Sequence, residues 1–491
     1  MVKKLVKAAL YGGESEQILL KKTSFGGMRG DKGEWYSNVE LGSLPYLRAH
    51  KPLIKAEAAG IPSDLRAIRA YGDRLLLLNM ESGFFGIYYL KDGQVAKAGT
   101  TVKSFPESSD GSDYCSRLLV IDEQSEQIDE GCAHRKLLFF PTKQTACLNA
   151  GGDPSVFSVL PSNVPALEHA AIRAGRLYGS VGQSVYVSGA EGCFDWSFDE
   201  EGEEPLPAHA WKGESATDTA DDPTVTAVIP YKNTVLVFRK RAISAVVGSE
   251  NPFVMKELYK VGTSFESSVK EVGGRIYFIT ENKVARFDGN RVDYLPPLPE
   301  GAVLNGAAGV LDGRYCFYVK DGVRHYLYSY DEQSDSYGVC KCYKKIRALE
   351  NCGSTLYALM GEVGDASPLY CISENRSSTY MEAEFPLLKD SFRQVFVRGV
   401  SVRMKMTKGS SARITVKLTD REGEITGEVF DIFQSNVEGE VTLIRRKRMK
   451  RASGVSLLIE AMGDVKLMGY EVACTVCEKS GAKGPGGDRD E

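Results

Sequence analysis

Histidine is scarce in this chain, five in 491 residues, and none stands in the HExxH spacing that places two imidazoles on one helical face to hold a catalytic zinc. There is no GxSxG elbow and no GxxxxGK[S/T] loop, so the usual marks of a serine hydrolase and of a nucleotide-phosphate cradle are missing. No stretch approaches the roughly 20 apolar residues of a membrane-spanning helix. The opening MVKKLVKAALYGGESEQ has too short an apolar run for a secretory signal. Eleven cysteines, an odd number scattered along the chain, do not form a disulfide framework. These absences together describe a soluble protein made in a reducing cytoplasm. Charge of one sign is lacking as well: 61 Lys and Arg face 65 Asp and Glu, a net −4, so bulk positive charge does not drive nucleic-acid binding.

What is abundant points to strands. There are 50 glycines, 24 tyrosines and 20 phenylalanines in a chain that is 43% hydrophobic. Glycine supplies tight turns, and aromatics suit pleated, half-buried surfaces. The stretch VGGRIYFITENKVARFDG (272–289) reads as two short strands around a turn, and it has relatives. Similar hairpins begin near Tyr71, Ala133, Ala174, Tyr231, Asp312 and Cys352. Their leading turn residues are Gly72, His134, Gly175, Asn233, Gly274, Gly313 and Gly353. Four of the six intervals lie at about 40 residues, the period of a four-stranded propeller blade. The two longer intervals carry polar insertions, 108–130 and 199–223. A strand upstream of each turn also recurs, as LRAIRA, AAIRA, VTAVIP, SSVKEV, GAAGVL and KIRALE. In a propeller it is the innermost strand, facing the central channel.

The expected fold is therefore all-β: a six- or seven-bladed β-propeller followed by a C-terminal β-sandwich. Residues 1–60 form an N-terminal arm and propeller-closing strands, 61–388 the propeller, 389–477 the sandwich, and 478–491 a disordered tail. The sandwich is read from clean alternation in QVFVRGVSVRMKM, ARITVKLTD and GVSLLIEAMGD. The rival is one large sandwich of ordinary hairpins, which has no need of a 40-residue period.

Chemistry is sparse. Carboxylates are plentiful, but nothing singles out a glycosidase pair. The CxxC of Cys474 and Cys477 and the CKC of Cys340 and Cys342 read as thiols in strands rather than zinc ligands. The RGD at Arg29–Asp31 lies in a glycine-rich loop and carries no adhesive meaning as a bare tripeptide. The run Arg445, Arg446, Lys447, Arg448, Met449, Lys450, Arg451 is a candidate contact for phosphates or an acidic partner; its plainer reading is a solvated strand end and turn.

The segment TSFGGMRGDKGEWYSNVELGSLPYLRAHKPLIKA resembles the opening of β-propeller virion proteins of tailed bacteriophages. Phe25, Gly26, Gly27, Asn38, Pro45, Leu47 and Arg48 carry the likeness. GRLYGSVGQSVYVSGAEGCFDWSF, ending on Asp195 and Trp196, resembles a blade of that family, as do VLVFRKRAISAVVGSENPF and VGTSFESSVKEVGGRIYFITENKVARFDG. The likeness covers most of residues 20–475 and is closest to the packaged-DNA stabilisation, or tail nozzle, proteins of short-tailed phages. It implies a structural virion protein at the neck or tail, not an enzyme and without a cofactor. It further implies a homo-oligomeric ring, six-fold by resemblance, that forms part of the DNA conduit and retains packaged DNA. Portal, head–tail adaptor and tail or fibre components would be its partners, genomic DNA would pass non-specifically, and assembly would occur in the host cytoplasm. The basic run and the N-terminal loop with Phe25, Gly26, Gly27, Arg29 and Trp35 are the expected interaction residues. Two other readings stay open: a glycan-binding or glycan-cleaving propeller of the tail-spike kind, and a bacterial cytoplasmic scaffold.

Overall fold

The computed structural model describes residues 47–100, 163–214, 223–373 and 380–478 with short internal breaks, together with isolated strands at 2–7, 15–22, 35–41, 118–122, 135–139, 147–149 and 158–159. Among the described residues nearly all regular structure is strand, with one 3-10 turn at Glu266–Ser268. Chain contacts divide the protein into two compact units. One comprises 1–52, 328–341 and 375–491; the other comprises 53–327 and 342–374.

From residue 65 onward the chain lays down four-stranded antiparallel sheets in sequence order, spanning 65–100, 118–159, 169–214, 225–259 and 270–294. Val303–Leu311, Arg314–Asp321, Arg324–Asp331 and Ser336–Cys342 follow as four successive strands of a longer sheet. A last sheet holds Ile346–Cys352, Thr355–Met360 and Leu369–Ser373, and its fourth strand comes from far upstream: Ile54–Lys55, with Tyr370 opposite Lys55 and Cys371 opposite Ile54.

The second strand of these sheets is apolar without alternation: LLLL at 75–78, VLVF at 235–238, IYFI at 276–279 and YCFYV at 315–319, buried throughout. Both faces of such a strand are covered, which is why a run replaces a period of two. Neighbouring sheets do the covering. Leu236, Phe238 and Ala245 of the fourth sheet share a core with Ile276, Phe278 and Phe287 of the fifth. Tyr178 and Val185 of the third share one with Val235 and Val237 of the fourth. Leu65, Ile68, Leu75 and Leu77 of the first sheet pack with Ala348, Leu359 and Leu369 of the last.

In three of the sheets the turn after the first strand is as short as the sequence suggests. Arg173 faces Arg176, Val272 faces Arg275, and Leu311 faces Arg314, leaving two residues to turn. Both have positive φ: Ala174 and Gly175 at 49° and 73°, Gly273 and Gly274 at 59° and 75°, Asp312 and Gly313 at 50° and 68°. This is the type I′ geometry that matches strand twist. Gly72 and His134, the other proposed turn residues upstream, lie outside the described residues.

VGTSFESS shows how one sheet is handed to the next. Thr263 Oγ1 donates to Ile279 O at 2.6 Å and accepts from Phe265 N at 2.9 Å. Ser268 Oγ donates to Phe265 O at 2.7 Å and accepts from Ile279 N at 3.1 Å. Thr226 Oγ1, on the preceding sheet, donates to Thr263 O at 2.6 Å. Thr263 and Ser268 are fully buried, so their bonds to the Ile279 carbonyl and N–H are shielded from water.

In the other unit, two sheets share one core. Val465–Glu478 runs beside Arg393–Met406 along its length, and Ser15–Lys22 pairs with its other edge from Ser15 opposite Cys477 to Lys22 opposite Tyr470. The second sheet runs Trp35–Ser37, Tyr380–Lys389, Gly454–Met462, Ser411–Thr419, Ile425–Ser435. Alternate residues meet between them, among them Val402, Met404, Leu467 and Val472 from the first and Phe385, Ile414, Val416 and Ile459 from the second. The proposed tail falls outside the described residues from 479 on, as do most of the 108–130 insertion and the RGD loop.

Gly262 tests this account. A Cβ there would stand 1.8 Å from Arg239 O and 2.9 Å from Ala242 N, backbone atoms that cannot step aside. Gly262→Ala should cost about 3 kcal/mol in urea unfolding. Gly313→Ala, whose Cβ meets nothing within 4 Å, should cost only about 1–2 kcal/mol, through its φ of +68°.

Candidate functional site

The recurring first strands come together around a cavity of about 600 Å³. LRAIRA, AAIRA, VTAVIP, SSVKEV and KIRALE all contribute to its wall, as does Val310 of GAAGVL. Most of the wall is alanine, isoleucine and valine. Charged residues are the exceptions, and three of them, Arg69, Lys270 and Glu350, are paired with one another.

Glu350, from the last sheet, is 12% exposed. Its Oε2 lies 3.6 Å from Arg69 Nη1 of the first sheet and 3.7 Å from Lys270 Nζ of the fifth. Its Oε1 accepts from the backbone N–H of Ala70 at 3.1 Å. Burial by itself pushes the carboxyl up. The Arg69 and Lys270 cations and the Ala70 N–H outweigh it, leaving the group below its ordinary value. Three strands far apart in sequence are thus pinned by one carboxylate. A second pair sits nearby on the same wall: His169 Nδ1 and Glu266 Oε2 are 2.6 Å apart, both largely buried. Arg347 Nη2 donates to Leu65 O at 3.1 Å, tying the last sheet to the first again.

A carboxyl held ionised between two cations is a fixed electrostatic tie. It does not suit the proton-donor role of a glycosidase acid, which needs a raised pKa. A cavity of this volume is of small-molecule size.

The residues singled out from sequence lie elsewhere. Arg445 and Arg446 end the strand Gly439–Arg446, opposite Val400 and Gly399; Arg451 begins the next short strand opposite Phe396. Both strands therefore run along the same neighbour, Arg393–Met406. Five chain steps from Arg446 to Arg451 match three along that neighbour. Lys447, Arg448 and Lys450 lie outside the described residues, as do Phe25, Gly26, Gly27 and Arg29. Trp35 opens the edge strand Trp35–Ser37, opposite Glu384. The structure does not bring the N-terminal loop and the basic run to one described site. Cys340, Cys342 and Cys474 are buried, and burial pushes the Cys474 thiol up to about 12. The acidic insertion is anchored at its start: Asp199 accepts from Leu206 N at 3.0 Å, lies 2.8 Å from His209 Nδ1, and accepts from Asn251 Nδ2 at 2.6 Å.

Arg69, Lys270 and Glu350 were not legible as a site. Their one signal was a charge inside an otherwise apolar recurring strand.

No protein-family model and no curated protein matches the chain. Solved structures with a related backbone include the extracellular domain of a putative one-component system from B. thetaiotaomicron, 10% identical, with a TM-score of 0.44, covering 84% of this chain and 62% of that one. Another is the extracellular domain of a putative hybrid two-component system from the same bacterium, 10% identical, with a TM-score of 0.43, covering 83% and 59%. The chain thus spans less than two thirds of either domain's length, and a likeness this distant carries no functional argument.

Glu350→Gln should lower stability by about 2 kcal/mol at neutral pH, the scale of a hydrogen-bonded charge. The folded carboxyl titrates below its ordinary value of 4.5. Its contribution is therefore present above that value and lost as pH falls through the folded one. Urea curves of wild type and variant should converge in acid.

Proposed function

We propose that the sheets between residues 65 and 373 are the blades of a seven-bladed β-propeller, closed by Ile54–Lys55, and that the other unit is built on a β-sandwich. We read the chain as a non-enzymatic structural protein of a tailed-phage virion, at the neck or tail. It assembles as a homo-oligomeric ring with portal, head–tail adaptor and tail or fibre proteins as partners.

The observation that carries this reading is what the family-like motif does. In VGTSFESSVKEVGGRIYF the residues that make the resemblance are structural: Gly262 touches the backbone of the preceding sheet, and Thr263 and Ser268 are buried in mutual hydrogen bonds. Such a motif marks how a chain is folded, and it supports kinship with a family whose work is done by surfaces. The cavity adds a constraint. At about 600 Å³, crossed by the Glu350 tie, it is far too small for duplex DNA. In this reading the conduit is formed between subunits of the ring, never along the axis of one propeller.

Light scattering and negative-stain electron microscopy of the purified full chain test the proposal. Rings of identical copies are the expected result, with the chain recovered in purified virions. A chain that stays monomeric at high micromolar concentration and is absent from particles sinks it.

A further inference from the structure

A second cavity, of about 620 Å³, lies where the strands between 303 and 325 meet residues 343–345 and the loop at 361–365 of the last sheet. Its chemistry is the reverse of the first. Lys320, Lys344 and Lys345 converge on it, against Glu362 and Asp365. Asp365 is already committed: it holds Lys344 Nζ at 2.8 Å and accepts from the N–H of Glu362 at 3.2 Å. Lys320 and Lys345 have no carboxylate partner among the described residues. On the same wall Tyr318 Oη and His325 Nδ1 are 2.6 Å apart and the two rings are stacked, with centroids at 5.9 Å and planes at 23°. Burial pushes the Tyr318 phenol up to about 12, with Cys342 and Glu362 adding to it, so it stays protonated and able to donate. With the phenol donating to Nδ1, His325 keeps its own proton on Nε2, as one more donor on the wall. At the rim Tyr343 is 91% exposed, an aromatic face presented between cations.

We propose that this cavity binds an anionic monosaccharide unit, a sugar phosphate or a uronate, with the acidic group between Lys320 and Lys345 and the ring against Tyr343. Two unpaired ammonium groups and an imidazole N–H supply charge-assisted donors for a phosphate or carboxylate. The exposed tyrosine supplies a rigid apolar face with a polar tip, suited to a ring that is part apolar and part hydroxyl. The volume fits one such ring and its substituents. The site is independent of the virion reading and involves no bond breaking. Burial, then Lys320 and Lys345, hold His325 below the ordinary histidine value. A bound anion offsets those two lysines, so ligand should raise the His325 pKa. Tyr343, Lys344, Glu362, Asp365, Tyr318 and Cys342 are the other ionisable groups around it, and Lys344 is already paired with Asp365.

The test is calorimetric titration of the full chain with glucose 1-phosphate, glucuronate, inorganic phosphate and glucose, with histidine NMR as a second readout. The acidic sugars should bind about tenfold or more tightly than phosphate or glucose, and the His325 titration should move up in their presence. Lys345→Glu should abolish binding. Tyr343→Ala should weaken the sugar phosphate about tenfold and leave phosphate unchanged, the scale of one good contact. Both side chains are exposed, so melting curves should match wild type and a lost signal is a lost site. Absence of binding by the wild type overturns the proposal. So does binding that inorganic phosphate or glucose equals, or that survives both substitutions.

Discussion

The pairing of Ile54–Lys55 with Leu369–Ser373 is the contact on which the larger unit depends. The sheets at 65–100, 118–159, 169–214, 225–259 and 270–294 are each assembled from strands that follow one another in the chain. A linear array of such sheets leaves two apolar faces bare, one at each end. Here Leu65, Ile68 and Leu75 from the first sheet meet Ala348, Leu359 and Leu369 from the last, so each end covers the other. The two-residue strand and the Ala56 N–H, which donates to Leu369 O at 3.0 Å, hold that meeting in register. The Glu350 tie and the Arg347 bond to Leu65 O add polar cross-links on the cavity side. A closed array buries the central strands on both faces, and this explains why they carry runs such as IYFI and YCFYV without alternation.

Local features were legible in the sequence and non-local ones were not. The turn at Gly274 could be read because a type I′ turn demands positive φ from two adjacent residues, and glycine marks it. The recurring first strand could be read from its repetition, and the structure lines a cavity with it. Partnership between Arg69, Lys270 and Glu350 could not be read, because their proximity is a product of closure and leaves no spacing in the chain. The basic run was visible as charge; that its strands Gly439–Arg446 and Arg451–Ala452 share one neighbour was not. The partner of Ser15–Lys22, in the segment read as an arm and propeller-closing strands, was not legible either: it pairs without a register shift along Val465–Glu478.

The two cavities divide polar groups in opposite ways. Around the first, charges satisfy each other: Glu350 with Arg69 and Lys270, Glu266 with His169. Such groups set geometry and have little left to offer a ligand. Around the second, one lysine is neutralised and two are left facing solvent, beside an exposed tyrosine. Charge that folding has not used is charge available for recognition. The same contrast holds for the motif residues. Thr263 and Ser268 spend every donor inside the fold, and the family resemblance they carry is a statement about architecture.

Closure also sets an order of events during synthesis. Ile54–Lys55 leaves the ribosome long before Leu369–Ser373 exists, so the segment must wait, unpaired, while the intervening sheets form one after another. Until then the Leu369–Ser373 edge offers free backbone donors and acceptors to any extended chain nearby. Ser15–Lys22 waits still longer for Val465–Glu478. Ile54–Lys55 and Ser15–Lys22 thus act last, and the contacts they complete are of high sequence separation, the slowest kind to form. Nascent chains are most vulnerable to pairing with one another in this interval, and a chaperone that shields open strand edges would matter most here.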